Sequence, residues 1–156
     1  MRINYMTIEI LKIISTSTEC TENAGAKLAD IMISDPGLPR FVAVCGGLGA
    51  GKTAFTRGIC SRFCPNAAVR SPSFALVNEY RGDTEVYHFD VWRIIDDDDL
   101  YSTGFYDYQD RSGVIVCEWA DNIEYALPER YLRVDISGNG DDERKIVVNL
   151  IEGDVL

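Results

Sequence analysis

The sequence lacks the features that mark membrane-spanning and secreted proteins. None of its hydrophobic runs approaches the roughly eighteen residues needed to cross a membrane, and we see no apolar stretch with a small-residue cleavage site at the N-terminus. Five cysteines are present but no C-x-x-C pair, which argues against a zinc site or a redox centre. We therefore expect a cytoplasmic protein with reduced, mostly buried thiols and no membrane association.

Basic residues are also scarce. The sequence has 15 Lys and Arg residues against 25 Asp and Glu residues, so its formal net charge is −10. A phosphate backbone repels such a surface, so we expect any contact with RNA to be indirect and a partner protein to be basic. We interpret the acidic run at 96–99 as a helix N-terminus, where carboxylates face the positive end of the helix dipole; the alternative is a docking patch for a basic surface.

What remains is the composition of a globular domain, with 46% hydrophobic and 26% charged residues. Apolar and β-branched runs predict strands at 5–15, 41–45, 74–80, 85–92, 113–117, 131–136 and 145–151. Helical periodicity and breakers predict helices at 21–33, from the residues after 53 to 63, from 96 to before Gly104, and at 121–126. Turn residues at 81–84 and 138–142 predict two β-hairpins.

This order of elements predicts an α/β fold. We expect a single domain over residues 1–156, with a P-loop NTPase-like sheet flanked by helices and extended by the two β-hairpins. Repeats, low-complexity segments and linkers are all missing from the sequence.

The most specific motif is the string GGLGAGKT at 46–53, which fits the phosphate-binding pattern G-x-x-x-x-G-K-[ST]. A predicted strand precedes it and a helix follows, which is the context that the motif requires. The glycines let successive N–H groups turn inward to phosphate oxygens, and the helix adds its positive end. We expect Lys52 to reach the terminal phosphates and Thr53 to hold Mg²⁺. The predicted phosphate-binding residues are Gly46, Gly47, Leu48, Gly49, Ala50, Gly51, Lys52, Thr53 and Ala54.

Two carboxylates are candidates for the rest of the catalytic chemistry. Asp90 and Glu118 each follow an apolar run, at the strand ends where ligands bind in open α/β sheets. Asp90 fits the metal-anchoring acidic position, and Glu118 could bind Mg²⁺ directly, bind it through water, or polarise the attacking water. The predicted catalytic residues are thus Lys52, Asp90 and Glu118, with Thr53, Asp90 and Glu118 as metal ligands. Ordinary strand-end carboxylates are the alternative.

Other side chains leave two interpretations open. His88, the only histidine, shares a strand face with Asp90 if the strand alternates, so the two would form a structural or a catalytic pair. Trp119 would pack near the nucleotide or in the core. Ser71 and Ser73 lie on a proline-containing loop that could order around the third phosphate, or could simply form a turn.

The nucleotide is more consistent with ATP than with GTP, because the guanine-binding string N-K-x-D does not occur. Small-molecule kinases of this class usually carry an arginine-rich lid, whereas the corresponding region here is acidic. An ATPase is therefore our leading hypothesis. A nucleotide-gated binding module is the second, and a small-molecule kinase the third.

Taken in order, these strings resemble the bacterial TsaE (formerly YjeE) family, ATPases required for the threonylcarbamoyl modification of the adenosine beside the anticodon of certain tRNAs. The resemblance extends over most of the chain. Three departures are Ser73 in place of threonine, Trp92 in place of tyrosine and Ala120 in place of proline. The matching segments are Thr21 with Gly25, the loop at 46–53 with FTRG at 55–58, SPSFALVNEY at 71–80, VYHFDVWR at 86–93, Gly104 and Glu118-Trp119.

The resemblance implies a compact P-loop α/β fold and slow ATP hydrolysis with Mg²⁺. It also implies a partnership with the TsaD and TsaB proteins, which carry out threonylcarbamoyl transfer, so that tRNA is reached only through that complex. Within the site it implies contacts of Thr21 and its neighbours with adenine, and of Arg144 with the nucleotide. Because serine retains the hydroxyl of threonine, it leaves a switch-like role for Ser73.

Overall fold

A computed structural model describes residues 3–72, 76–138 and 142–155 of the chain. Its strands are β1 (Ile3–Ser15), β2 (Phe41–Gly46), β3 (Val77–Tyr80), β4 (Val86–Asp90), β5 (Val114–Glu118), β6 (Arg130–Gly138) and β7 (Arg144–Val155). Its helices are α1 (Thr18–Ser34), α2 (Lys52–Phe63), α3 (Asp97–Ser102), α4 (Phe105–Tyr108) and a 3-10 helix (Ala120–Ala126). None of the helices in these ranges is long and apolar enough to cross a membrane.

The strands form one mixed sheet in the order β1-β7-β6-β2-β5-β4-β3. Its centre is parallel, because β2 runs parallel to both β5 and β6, and β4 runs parallel to β5. Antiparallel pairs extend it on either side, β6 with β7 and β7 with β1 on one, β4 with β3 on the other. The ends of β2, β4 and β5 therefore meet at one edge of the sheet, where ligands bind in such folds.

Helices cover both faces of the sheet. The apolar side chains of β2 alternate between two buried clusters, as a strand covered on both faces requires. One cluster contains α1 and α2, with Leu28, Phe55 and Ile59 against Val44. The other contains α3, α4 and the 3-10 helix, with Leu100, Phe105 and Ile123. The predicted α/β sheet flanked by helices is thus confirmed.

Both predicted hairpins are confirmed, since β3 pairs with β4 and β6 with β7, each antiparallel. The acidic run at 96–99 begins a helix as expected, and the Asp96 side chain caps it by accepting from the Asp99 N–H at 2.8 Å. Helix α1 begins at Thr18 rather than at residue 21, because the Ser17 hydroxyl accepts from the Cys20 N–H at 3.0 Å.

Other boundaries also differ from the expected ones. The strand expected to end at residue 92 ends at Asp90, whose carboxylate accepts from the Trp92 N–H at 3.1 Å and so favours a turn. The helix expected at 121–126 is a 3-10 helix that begins at Ala120. Part of the strand expected at 74–80, and part of the hairpin turn expected at 138–142, lie outside the described residues.

The two long helices approach each other closely at a pair of glycines. A Cβ atom on Gly25 would lie 2.1 Å from the Phe55 carbonyl oxygen, and one on Gly58 would lie 1.8 Å from the Glu22 carbonyl oxygen. Because only glycine avoids both collisions, the backbones of α1 and α2 pack in direct contact. This contact holds the first turns of the two helices side by side.

Alanine at position 58 should therefore destabilise the fold. We expect Gly58→Ala to lower the free energy of unfolding by about 1–3 kcal/mol, since the clash outweighs the roughly 1 kcal/mol gain in helix propensity. Urea denaturation followed by circular dichroism measures the change. The matched control is Gly138→Ala, where a Cβ meets nothing within 4 Å. Equal unfolding midpoints for the two variants would contradict the contact.

Candidate nucleotide-binding site

The loop between β2 and α2 has the backbone that the motif predicts. Gly51 occupies the position before α2 with φ 104°, a conformation that glycine adopts without strain. No side chain caps this helix, so the N–H groups of its first turn face the loop. An uncapped helix N-terminus of this kind attracts anions, phosphate among them.

Lys52 lies inside the mouth of the loop. Its ammonium donates to the carbonyl oxygens of Gly46 at 2.9 Å and Gly47 at 2.7 Å, and it lies 3.9 Å from the centre of the Trp119 ring. Burial lowers the pKa of Lys52, while the carboxylates of Glu118, Asp121 and Asp90 oppose that change. A cation is thus held at the mouth of the loop by backbone carbonyl oxygens.

Glu118 is the carboxylate that touches the loop. It ends β5 with a side chain that is almost fully buried, and its Oε1 accepts from the Thr53 hydroxyl at 2.9 Å. Asp90 lies opposite Glu118 in the pairing of β4 with β5. Its carboxylate accepts from the Ser71 hydroxyl at 3.2 Å. The structure therefore brings the predicted residues Lys52, Thr53, Asp90 and Glu118 together at one edge of the sheet.

The expected pairing of His88 with Asp90 is wrong. The His88 Nε2 atom hydrogen-bonds the Glu118 carboxylate, and its Nδ1 lies 3.0 Å from the Tyr80 hydroxyl. The Asp90 carboxylate accepts instead from Ser71 and from the Trp92 N–H. The register sets His88 opposite Val116 and makes Glu118 its diagonal neighbour, within reach of two long side chains. Because β4 runs beside β5, His88 meets the carboxylate across the sheet. Reasoning from the sequence missed Tyr80, since only the strand pairing brings it to His88.

Two of the cavities that border the loop share residues 49–51 and Ala54, and a further one of about 740 Å³ lies along residues 45–50 and Arg144. The first, of about 360 Å³, contains Lys52, Thr53, Asp90, Glu118 and Trp119. The second, of about 300 Å³, lies on the other side of the loop. It is lined by residues 15–18, Thr21, Ala54, Asp142 and Arg144.

The remaining predicted residues divide between these cavities. Thr21 is buried beside the second cavity, and its hydroxyl lies 2.7 Å from the Ser15 hydroxyl. Arg144 lines the same cavity at the start of β7. Trp119 lines the first cavity with φ 61°, and its ring centre lies 4.5 Å from that of Trp92 at a tilt of 50°. Ser73 lies outside the described residues.

The side chains at the first cavity fit Mg²⁺. Thr53, Asp90 and Glu118 offer only oxygen atoms, which are the ligands that Mg²⁺ prefers. Over residues 3–72, 76–138 and 142–155, no three His, Cys, Asp or Glu side chains converge as they would around a metal held by protein alone.

The cysteines have no part in this chemistry. Cys45, Cys60, Cys64 and Cys117 are buried, and all five thiols are free. Burial raises the pKa of Cys45 and of Cys60 to about 12, and it raises the pKa of Cys64 and of Cys117 as well. These groups stay protonated at neutral pH, which excludes them as nucleophiles.

Comparisons with known proteins identify the family of the chain. Residues 15–146 match the family described as "Threonylcarbamoyl adenosine biosynthesis protein TsaE". The tRNA threonylcarbamoyladenosine biosynthesis protein TsaE of Bacillus subtilis is 39% identical over 68% of this chain and 66% of its own. Its counterpart in Haemophilus influenzae is 35% identical over 78% of both chains. The crystal structure of YdiB from Bacillus subtilis superimposes with a TM-score of 0.68 at 27% identity, covering 96% of this chain and 88% of that one.

The reactivity of the thiols tests whether Cys45 and Cys60 are buried as the structure shows. At pH 8 the folded protein should react with iodoacetamide at Cys20 alone, because a pKa near 12 leaves only about one Cys45 or Cys60 thiol in ten thousand ionised. Intact mass spectrometry should show one adduct on the folded protein and five in denaturant. Rapid modification of Cys45 in the folded protein would contradict the burial.

Proposed function

The chain belongs to the TsaE family, and we propose that it is a Mg²⁺-dependent ATPase that acts in the threonylcarbamoyl modification of tRNA. One observation carries the proposal: the Thr53 hydroxyl of the phosphate-binding loop touches the buried Glu118 carboxylate at the end of β5. A turn that merely begins a helix has no need of a buried carboxylate beside it.

The loop would bind the triphosphate. The N–H groups at the start of α2 face the mouth of the loop and suit phosphate oxygens. Lys52 is held there by two carbonyl oxygens that a phosphate can replace, because a charge-assisted bond to an anion is stronger than one to a neutral acceptor. Lys52 would then lie on the terminal phosphates.

Thr53, Glu118 and Asp90 would hold the metal ion. When bound, Mg²⁺ supplies positive charge to the phosphate oxygens and lowers the barrier to attack on the terminal phosphorus. The contact between Thr53 and Glu118 favours Glu118 as the carboxylate nearest the ion. Asp90 stands beside it in register and is bonded to Ser71, so it would be the second carboxylate at the ion.

The second cavity would bind the base. It lies on the far side of the loop from Glu118, and Thr21 and Arg144 line it. The missing guanine-binding motif favours adenine over guanine at this position. ATP would thus lie across the loop, with its base beside α1 and its terminal phosphate beside β5.

The partners would be the TsaD and TsaB proteins, in the cytoplasm, with tRNA bound by the complex rather than by this chain. The net charge of −10 favours a basic partner surface over direct contact with RNA. Leu48 at the loop and Ile95 beyond β4 are each 89% exposed, and Trp92 is 54% exposed. Leu48 lines the first cavity and Trp92 contacts Trp119 at its wall, so these exposed apolar side chains are suited to a protein contact that senses the nucleotide.

Replacing the loop lysine should remove nucleotide binding. We expect Lys52→Ala to weaken ATP binding by about a hundredfold or more, because it deletes the charged partner of the phosphates. Isothermal titration calorimetry with ATP and Mg²⁺ measures the change. The matched control is Lys145→Ala on the exposed face of β7, which should bind as the unaltered protein does. Unchanged affinity in Lys52→Ala would rule out the loop as the binding site.

Replacing the buried carboxylate should separate binding from turnover. We expect Glu118→Ala to lower the ATPase rate by about 10²–10³-fold while ATP affinity changes less than about tenfold. Phosphate release measures the rate, and Glu129→Ala at an exposed carboxylate is the control. An unchanged rate would make Glu118 a structural residue and favour the nucleotide-gated binding module.

A further inference from the structure

A buried chain of polar contacts begins at Glu118 and leads away from the first cavity. One oxygen of Glu118 accepts from Thr53, and the other bonds to His88 Nε2. His88 Nδ1 lies 3.0 Å from the Tyr80 hydroxyl. That hydroxyl in turn bonds to the backbone of Arg70, at 3.0 Å from its carbonyl oxygen and 3.3 Å from its nitrogen.

The middle of this chain is closed to solvent. His88 is 0% exposed, Glu118 is 2% exposed and Tyr80 is 8% exposed. Buried polar groups need fixed partners, because each one left without a partner costs about 1–3 kcal/mol. Each nitrogen of the imidazole has such a partner, so the ring is held in one orientation. Of the buried side-chain polar atoms in the described ranges, none lacks a hydrogen bond.

The far end of the chain returns to the first cavity. Arg70 is followed by Ser71, whose hydroxyl donates to the Asp90 carboxylate, and Asp90 lies in register with Glu118. The two carboxylates at the sheet edge are therefore neighbours in the register of β4 with β5. They are also linked through His88, Tyr80 and the backbone at 70–71.

We propose that His88 is a positioning residue for Glu118. It binds the inner carboxylate oxygen, so that the outer oxygen faces Thr53, and Tyr80 fixes the imidazole and ties it to the backbone ahead of Ser71. Residues that orient a metal-binding carboxylate commonly change affinity or activity by about 10–100-fold when replaced. The role of Glu118 in turnover rests on the proposed function, whereas the contact between His88 and Glu118 does not.

The kinetic test compares three variants. We expect His88→Leu to lower kcat by about 10–100-fold and to raise the Mg²⁺ concentration for half-maximal rate, with ATP affinity unchanged. His88→Gln, whose amide can still bond Glu118, should recover most of kcat. The matched control is Phe89→Leu, at a buried site on the opposite face of the same strand. Equal kcat values for His88→Leu and Phe89→Leu would overturn the proposal.

A double substitution shows whether His88 acts through Glu118. In the Glu118→Ala background, His88→Leu should change kcat by less than about twofold, because the group that it positions is gone. Full additivity of the two effects would overturn the proposal. Should His88→Leu fail to fold, Tyr80→Phe replaces it, with an expected loss in kcat of about two- to fivefold. An unchanged kcat in Tyr80→Phe would overturn the proposal.

A spectroscopic test does not depend on turnover. Because His88 is the only histidine, its two ¹⁵N ring resonances are assigned without ambiguity. Glu118→Gln should shift the Nε2 resonance by more than the Nδ1 resonance, and Tyr80→Phe should do the reverse. An unmoved Nε2 resonance in Glu118→Gln would overturn the positioning role. If the unaltered protein failed to hydrolyse ATP, the proposed function would fall. The ring resonances would still show whether His88 is bonded to Glu118, so the two failures can be told apart.

Discussion

The buried carboxylate of Glu118 is the constraint on which the site depends. A carboxylate with almost no exposure needs polar partners for both of its oxygens. One partner, Thr53, comes from the first turn of α2, and the other, His88, comes from the neighbouring strand β4. The Glu118 carboxylate therefore depends both on the pairing of β4 with β5 and on the position of α2. A change in either would leave a buried carboxylate oxygen without its hydrogen-bond partner.

The mixed sheet explains why that group can be buried and still reach a ligand. Its parallel centre brings the ends of β2, β4 and β5 to one edge, while the antiparallel strands at either side widen the sheet without covering that edge. Helices pack on both faces, so the interior of β5 is dry up to its last residue. The first polar side chain of β5 is therefore its last residue, Glu118, whereas the preceding residue, Cys117, packs in the apolar core.

Local patterns predicted much of this arrangement. The phosphate-binding loop, its strand and its helix are contiguous in sequence, and Asp90 and Glu118 could be placed at the sheet edge because each ends an apolar run. The partner of His88 could not be predicted in the same way, since it depends on which strand lies next to β4.

Contacts that depend on backbone geometry were equally out of reach. The positive φ of Trp119, and the contact of its ring with Lys52, have no signature in hydrophobic periodicity. The nucleotide contacts of Thr21 and Arg144, and the switch role of Ser73, stay predictions.

The glycine contact between α1 and α2 has a mechanical consequence. Thr21 on one helix and Lys52 on the other behave as parts of one rigid block, because backbone rests on backbone with no side chains between. A nucleotide bridging the two would find that half of its site already assembled, with little conformational entropy left to lose.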